Sequence, residues 1–186
     1  MNIRDKLAVV INGMGGVGKD TLCEIIGKYY KCINVSTITP IKQIALQHGW
    51  NGEKDLKSRK FLADLKRAFA DFNDLPNRYL VGEYNSFLES NNQIMFVHIR
   101  EKDQIEKFKQ SINGNCITLL ITRSKSDKNE AVFGNDADDL VEDFEYDYYY
   151  DNSLTLEEAE RDFLLFFQGI INDLNLNISP ISEINL

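Results

Sequence analysis

Short, unbroken apolar runs alternate along the chain with longer stretches in which apolar residues recur every three to four positions. That alternation predicts strands buried on both faces, set between amphipathic helices. The runs are LAVVIN at 7–12, a brief β-like piece at 32–35, QIMFVHI at 93–99, CITLLIT at 116–122 and a tyrosine-rich piece at 146–150. Helical spacing is carried by Leu22, Ile25, Ile26 and Tyr29 over 20–31, and by Ile41, Ile44 and Ala45 from Thr39-Pro40 to about 48. Phe61, Leu62, Leu65, Ala68, Phe69 and Phe72 form one stripe over 55–73, opposite Arg59, Lys60, Lys66 and Arg67. Further helices are predicted over 77–90 and after Arg100, where Ile105, Phe108 and Ile112 recur. The last helix carries Leu156, Ala159, Phe163, Phe166, Phe167, Ile170 and Leu174, and Thr155 with Glu158 reads as its capping box. Pro76 predicts the end of the third helix, and the tail after Asn175 reads as loosely held.

Strands alternating with helices imply an α/β domain: a five-stranded, mostly parallel sheet flanked by helices, in a three-layer arrangement. At 186 residues the chain suits one domain. Its expected core covers 1–39 and 91–186, with a helical acceptor-binding insertion at about 40–90 and a short lid at about 123–143. In such sheets ligands sit over the carboxyl ends of the strands, where the loop at Gly13, Ser36, Arg100 and Arg123 all emerge.

The first apolar run breaks into GMGGVGKDT at 13–21. Gly13 and Gly18 enclose four residues and Lys19 follows, the spacing of a phosphate-binding loop with Asp20 where Ser or Thr is usual. Glycines let successive N–H groups point inward, and the next helix adds its positive end, so the segment makes a concave anion site. Gly13, Met14, Gly15, Gly16, Val17, Gly18, Lys19, Asp20 and Thr21 are therefore the expected nucleotide contacts. Asp20, and Thr21 beside it, are the candidate Mg²⁺ ligands, since Mg²⁺ is held by few protein oxygens together with phosphates and water. Asp20 reads equally as a carboxylate facing the helix dipole.

Composition narrows the partners. The formal net charge of −8 opposes binding to nucleic acid. Yet 20 of the 21 Lys and Arg lie within 1–129, so the cations accompany the loop and suit a small anionic substrate. No apolar stretch approaches eighteen residues and no leader pattern opens the chain, so a cytoplasmic protein without a membrane partner is expected. Cys23, Cys32 and Cys116 are scattered and odd in number, which fits a reducing compartment. A monomer and a homodimer both remain open.

Gly13, Gly16, Gly18, Lys19 and Thr21 resemble the GxxGxGKGT loop of adenylate-kinase-like nucleoside monophosphate kinases. The GKDT variant is similar to that of phage-type deoxynucleoside monophosphate kinases, and also to the GKD of some phosphomevalonate kinases. Thr39-Pro40-Ile41-Lys42 resembles the first family's Gly-Pro-Ile-Lys, and Arg59-Lys60-Phe61-Leu62 its Arg-Arg-Leu-Met stretch. Ile99-Arg100 and Thr122-Arg123 resemble its strand-end Val-Arg and Thr-Arg, and YYYDNSLTL at 148–156 its ILVNDGSLEEL segment. The resemblance implies an ATP- and Mg²⁺-dependent phosphotransferase. Lys19, Arg100 and Arg123 would be its catalytic cations, and Lys42 and Arg59 would bind the acceptor phosphate.

Two departures accompany the resemblance. His98 stands two residues before Arg100, where relatives often have an acid, and the expected lid offers only Lys125 and Lys128 beyond Arg123. Ser124-Lys125-Ser126-Asp127 faintly resembles a guanine-reading motif, but no Asp-x-x-Gly accompanies it. The expected reaction is transfer of the γ-phosphoryl group of ATP to a small phosphorylated acceptor, foremost a (deoxy)nucleoside monophosphate. The alternatives are another phosphorylated metabolite of the phosphomevalonate or dephospho-coenzyme A type, and nucleotide binding with weak or no catalysis.

Overall fold

A computed structural model describes residues 5–124, 141 and 144–182. Five strands, β1 (Leu7–Asn12), β2 (Cys32–Ser36), β3 (Ile94–His98), β4 (Ile117–Thr122) and β5 (Tyr148–Asp151), form one sheet in the order β2-β3-β1-β4-β5. Every described pairing is parallel, with Ile11 opposite His98 on one side and Leu119 on the other. Parallel strands need crossovers, and the helices supply them: α1 (Lys19–Tyr29), α2 (Thr39–Gln47), α3 (Leu56–Asn73), α4 (Leu75–Glu89), α5 (Lys102–Ser111) and α6 (Leu156–Asp173).

The period of two along β1 divides the interior. Leu7, Val9 and Ile11 face α1 and α6, meeting Leu22, Ile26, Phe163 and Phe167. Ala8 and Val10 face the opposite layer with Leu80, Tyr84, Phe87, Ile105 and Phe108 from α4 and α5. α4, expected inside the insertion, thus belongs to this core layer. The segment that packs apart is α2 with α3, where Ile41, Ala45 and Leu62 form a small separate cluster.

Three sequence expectations are corrected. Pro76 does not end α3: Asp74, at φ 57°, closes α3 and opens α4, and Pro76 sits in the first turn of α4, where a missing N–H costs nothing. Over residues 176–182 the tail is held, because Ile178 is buried, Ile181 N donates to Tyr29 O at 2.7 Å and Gln93 Nε2 donates to Ser179 O at 2.8 Å. The predicted α3 stripe is only partly buried: Leu62 is the one buried residue of that helix, and Phe72 stays 82% exposed. The Thr155–Glu158 capping box on α6 is present. Lys125 and Lys128, and all but the ends of the expected lid, lie outside the described residues.

Candidate functional site

Strand β1 ends at Asn12, which is 1% exposed and ties three segments together. Its Oδ1 accepts from Gly13 N at 2.8 Å, and its Nδ2 donates to Arg100 O at 3.0 Å and to Tyr146 Oη at 2.8 Å. Tyr146 in turn donates to Val141 O at 2.9 Å. The loop therefore starts from an anchored point. Gly13, Gly16 and Gly18 then take φ of 143°, 85° and 92°, a region that strains any residue with a Cβ. A Cβ on Gly13 would also press into the Ile121 carbonyl oxygen, so glycine is required there on two counts.

Lys19 opens α1, and its Nζ donates to Gly13 O at 2.6 Å and to Met14 O at 2.7 Å. The ammonium thus lies back over the loop that the following N–H groups shape. Val17 is buried, while Met14 and Gly16 are exposed on the loop's outer side. Val17 O is held by Asn152 Nδ2 at 2.8 Å, and Asn152 N donates to Thr122 O at 2.8 Å. A Cβ on Gly18 would stand 2.5 Å from that same Nδ2. Asn152, 7% exposed, is thus the strut on which the end of the loop rests.

Asp20 is on the first turn of α1 with its side chain 92% exposed, and its Oδ1 lies 3.9 Å from His98 Nδ1. Burial holds the His98 pKa below the usual imidazole value; Asp20 pulls it up, and the Lys19 and Arg100 charges push it down again. Burial wins because Asp20 is water-screened at the limit of ion-pair distance, so His98 is neutral at pH 7. His98 meets Asn34 Oδ1 at 3.3 Å through Nε2, is half-buried and faces the start of α1. Lys19, Asp20, His98 and Arg100 consequently share one electrostatic neighbourhood at the ends of β1 and β3.

On the other side of α1, Gly18, Thr21, Leu22 and Ile25 line a cavity of about 200 Å³ with Arg123, Asn152, Leu154, Leu156 and Ala159. Ser124 places Arg123 there: its N donates to Ser153 Oγ at 2.8 Å and its Oγ donates to Asp151 Oδ2 at 3.0 Å. The hydrogen bond from Ser153 Oγ, and after it those from Ser124 Oγ and N, hold the Asp151 carboxyl below the ordinary carboxylate range. Lys42 is half-buried on α2. Arg59 is exposed on α3, its Nε donating to Lys54 O at 3.1 Å.

The two candidate Mg²⁺ ligands follow one another on α1 but face different sides of it, Asp20 towards His98 and Thr21 towards the cavity, and Asp20 offers an exposed carboxylate. Such hard oxygen donors fit an ion that completes its shell with phosphate and water. Among the described residues no three His, Cys, Asp or Glu cluster as a self-sufficient metal site. Burial pushes the three thiols up, Cys23 well above the usual range, Cys32 to about 12 and Cys116 to about 11, which disfavours the thiolate. Among the described residues no helix is long and apolar enough to cross a membrane.

Sequence reasoning missed Asn12, Asn152 and the cavity wall at Leu154. Asn12 left a trace, as a polar residue closing an apolar run. Asn152 left none beyond its place in YYYDNSLTL, because its partner is 135 positions away.

No protein family description matches the chain, and no curated protein matches it. Solved structures do. The tunicamycin resistance protein of Deinococcus radiodurans is 8% identical with a TM-score of 0.55, over 96% of this chain and 99% of that one. A sugar kinase from Janibacter sp. is 13% identical with a TM-score of 0.51, over 88% of this chain and 95% of that one. At such identities the likeness concerns architecture: the chain shares with these two proteins a parallel, three-layer α/β fold.

Proposed function

We propose that the protein is an ATP-dependent phosphotransferase acting on a small acceptor, with (deoxy)nucleoside monophosphates the class favoured by the sequence motifs. The carrying observation is the anchored loop: three left-handed glycines between β1 and α1, with Lys19 folded over the Gly13 and Met14 carbonyls. The amides of 13–19 surround the donor phosphates, and Lys19 Nζ exchanges those carbonyls for phosphate oxygens. The cavity beside Gly18 and Thr21 takes the base. At about 200 Å³ it lies below the ~300–1,000 Å³ of a whole-ligand site, and its Ile25, Leu154 and Leu156 walls suit a flat ring stacked under Arg123.

Asp20 or Thr21 would hold a Mg²⁺ ion, whose charge would offset that of the phosphates. Arg100 offsets the charge that develops on the phosphoryl group, and Lys42 and Arg59 orient the acceptor. An acceptor oxygen bonds to the γ-phosphorus as the bridging P–O bond breaks, and ADP leaves. Such transfers depend on position and charge, with no enzyme nucleophile needed.

A panel of nucleoside monophosphates, phosphorylated metabolites and sugars, assayed by acceptor-stimulated ADP release, tests the class of acceptor. Replacing Lys19 with Ala lowers turnover by about 10²–10³-fold. Undiminished activity in that variant would remove the assignment. A second reading, nucleotide binding with weak catalysis, draws on His98 where an acid is usual and on the exposure of Asp20. Tight ATP binding with no stimulated ADP release across the panel would establish it.

A further inference from the structure

Helix α3 leaves a row of apolar side chains uncovered. Phe61 is 44% and Phe72 82% exposed, Ala68 is exposed and Leu65 half-buried. Their spacing of four, three and four residues is that of a helix–helix seam about 16 Å long. The row is not turned towards the strand ends. That direction is marked by Lys66, whose Nζ meets Glu101 Oε1 at 2.6 Å next to Arg100. At about 100° per residue, Phe61 and Phe72 stand roughly 120–140° around the helix from Lys66.

Alongside the row runs a second one with the same spacing and alternating sign: Lys60, Asp64, Arg67 and Asp71. The first three are solvent-exposed and engaged only within the helix, Lys60 to Asp64 at 3.0 Å and Arg67 to Asp64 at 2.9 Å. When this edge is laid antiparallel on a copy of itself about a two-fold axis near Lys66, unlike charges meet throughout. Lys60 falls beside Asp71 of the second copy, and Asp64 beside its Arg67. The same operation puts Phe61 against Phe72 and Leu65 against Ala68. An isologous contact of this kind is self-complementary in both shape and charge.

We infer that the outer face of α3 is a homodimer interface in which two copies pair α3 antiparallel along Phe61, Leu65, Ala68 and Phe72. The two phosphate-binding loops then lie away from the contact and work independently. The test is the mass of the full chain in solution by sedimentation equilibrium from 1 to 100 μM. Wild type gives twice the monomer mass, and Phe72→Glu gives monomer with unchanged ATP affinity.

Charge variants test the arrangement itself. Asp64→Lys with Asp71→Lys makes the edge all positive, and Lys60→Asp with Arg67→Asp makes it all negative. Each alone raises the dimer dissociation constant at least tenfold, and an equimolar mixture restores a heterodimer. Three results would overturn the inference: a wild type that is monomeric at 100 μM, single-sign variants that dimerise as well as wild type, or a mixture that stays monomeric. A wild type that is monomeric alone yet binds another protein through Phe72 belongs to the first of these.

Discussion

Asn152 donates its Nδ2 hydrogen to the carbonyl oxygen of Val17 at 2.8 Å, and it does so in the space that a side chain on Gly18 would need. The turn after β5 thereby sets the shape of a loop formed near the start of the chain. Replacing Asn152 with Ala leaves the Val17 carbonyl unpaired, a loss of about 1–3 kcal/mol. ATP affinity measured by calorimetry is expected to fall roughly 5- to 150-fold. Asn152→Asp should do no better, since it turns an acceptor towards an acceptor; full affinity in that variant would refute the strut.

Glycines in and near the loop should separate by cause. Gly13→Ala meets both a left-handed φ and the Ile121 carbonyl, and a loss above about 3 kcal/mol in urea unfolding is expected. Gly16→Ala has open space around it and only the backbone strain, about 1–2 kcal/mol. Gly27→Ala, on an exposed position of α1 with nothing within 4 Å, should stabilise by up to about 1 kcal/mol. Equal losses at Gly13 and Gly27 would contradict the geometry.

His98 makes stability depend on acid. Its folded pKa lies below its ordinary 6.5, so the unfolded chain takes up the proton first as pH falls through that value. Stability is full above about pH 7 and declines as pH drops below 6.5 towards the folded pKa. Melting temperatures between pH 7.5 and 5 should therefore fall more steeply for wild type than for His98→Gln. Parallel slopes would show that the imidazole is not what titrates.

Lys6, just before β1, closes the C-terminal end of α4. Its Nζ donates to Phe87 O, Ser90 O and Asn92 O at 2.9, 2.8 and 2.7 Å and lies 4.6 Å from the centre of the Phe87 ring. Burial draws its pKa down, yet three carbonyls at a helix C-terminus favour a cation there. Lys6→Met keeps the aliphatic stem and leaves those carbonyls unpaired, so a loss of about 2–4 kcal/mol in urea unfolding is expected. A neutral result would mean that water replaces the ammonium.

The strands, the helices and the glycine-rich loop were legible in the chain because each depends on neighbours in sequence: period, capping and the φ freedom of Gly13, Gly16 and Gly18. The fold class followed, since buried runs alternating with helices leave few topologies. The side-chain contacts that span the fold could not be read in that way. Asn152 under Val17, Tyr146 against Asn12 and the docking of the tail on Tyr29 join segments that only folding brings together. The α3 stripe is the reverse case: its spacing announced an apolar face, but which part the domain covers was decided by where α2 and α4 lie, leaving Phe61 and Phe72 outside.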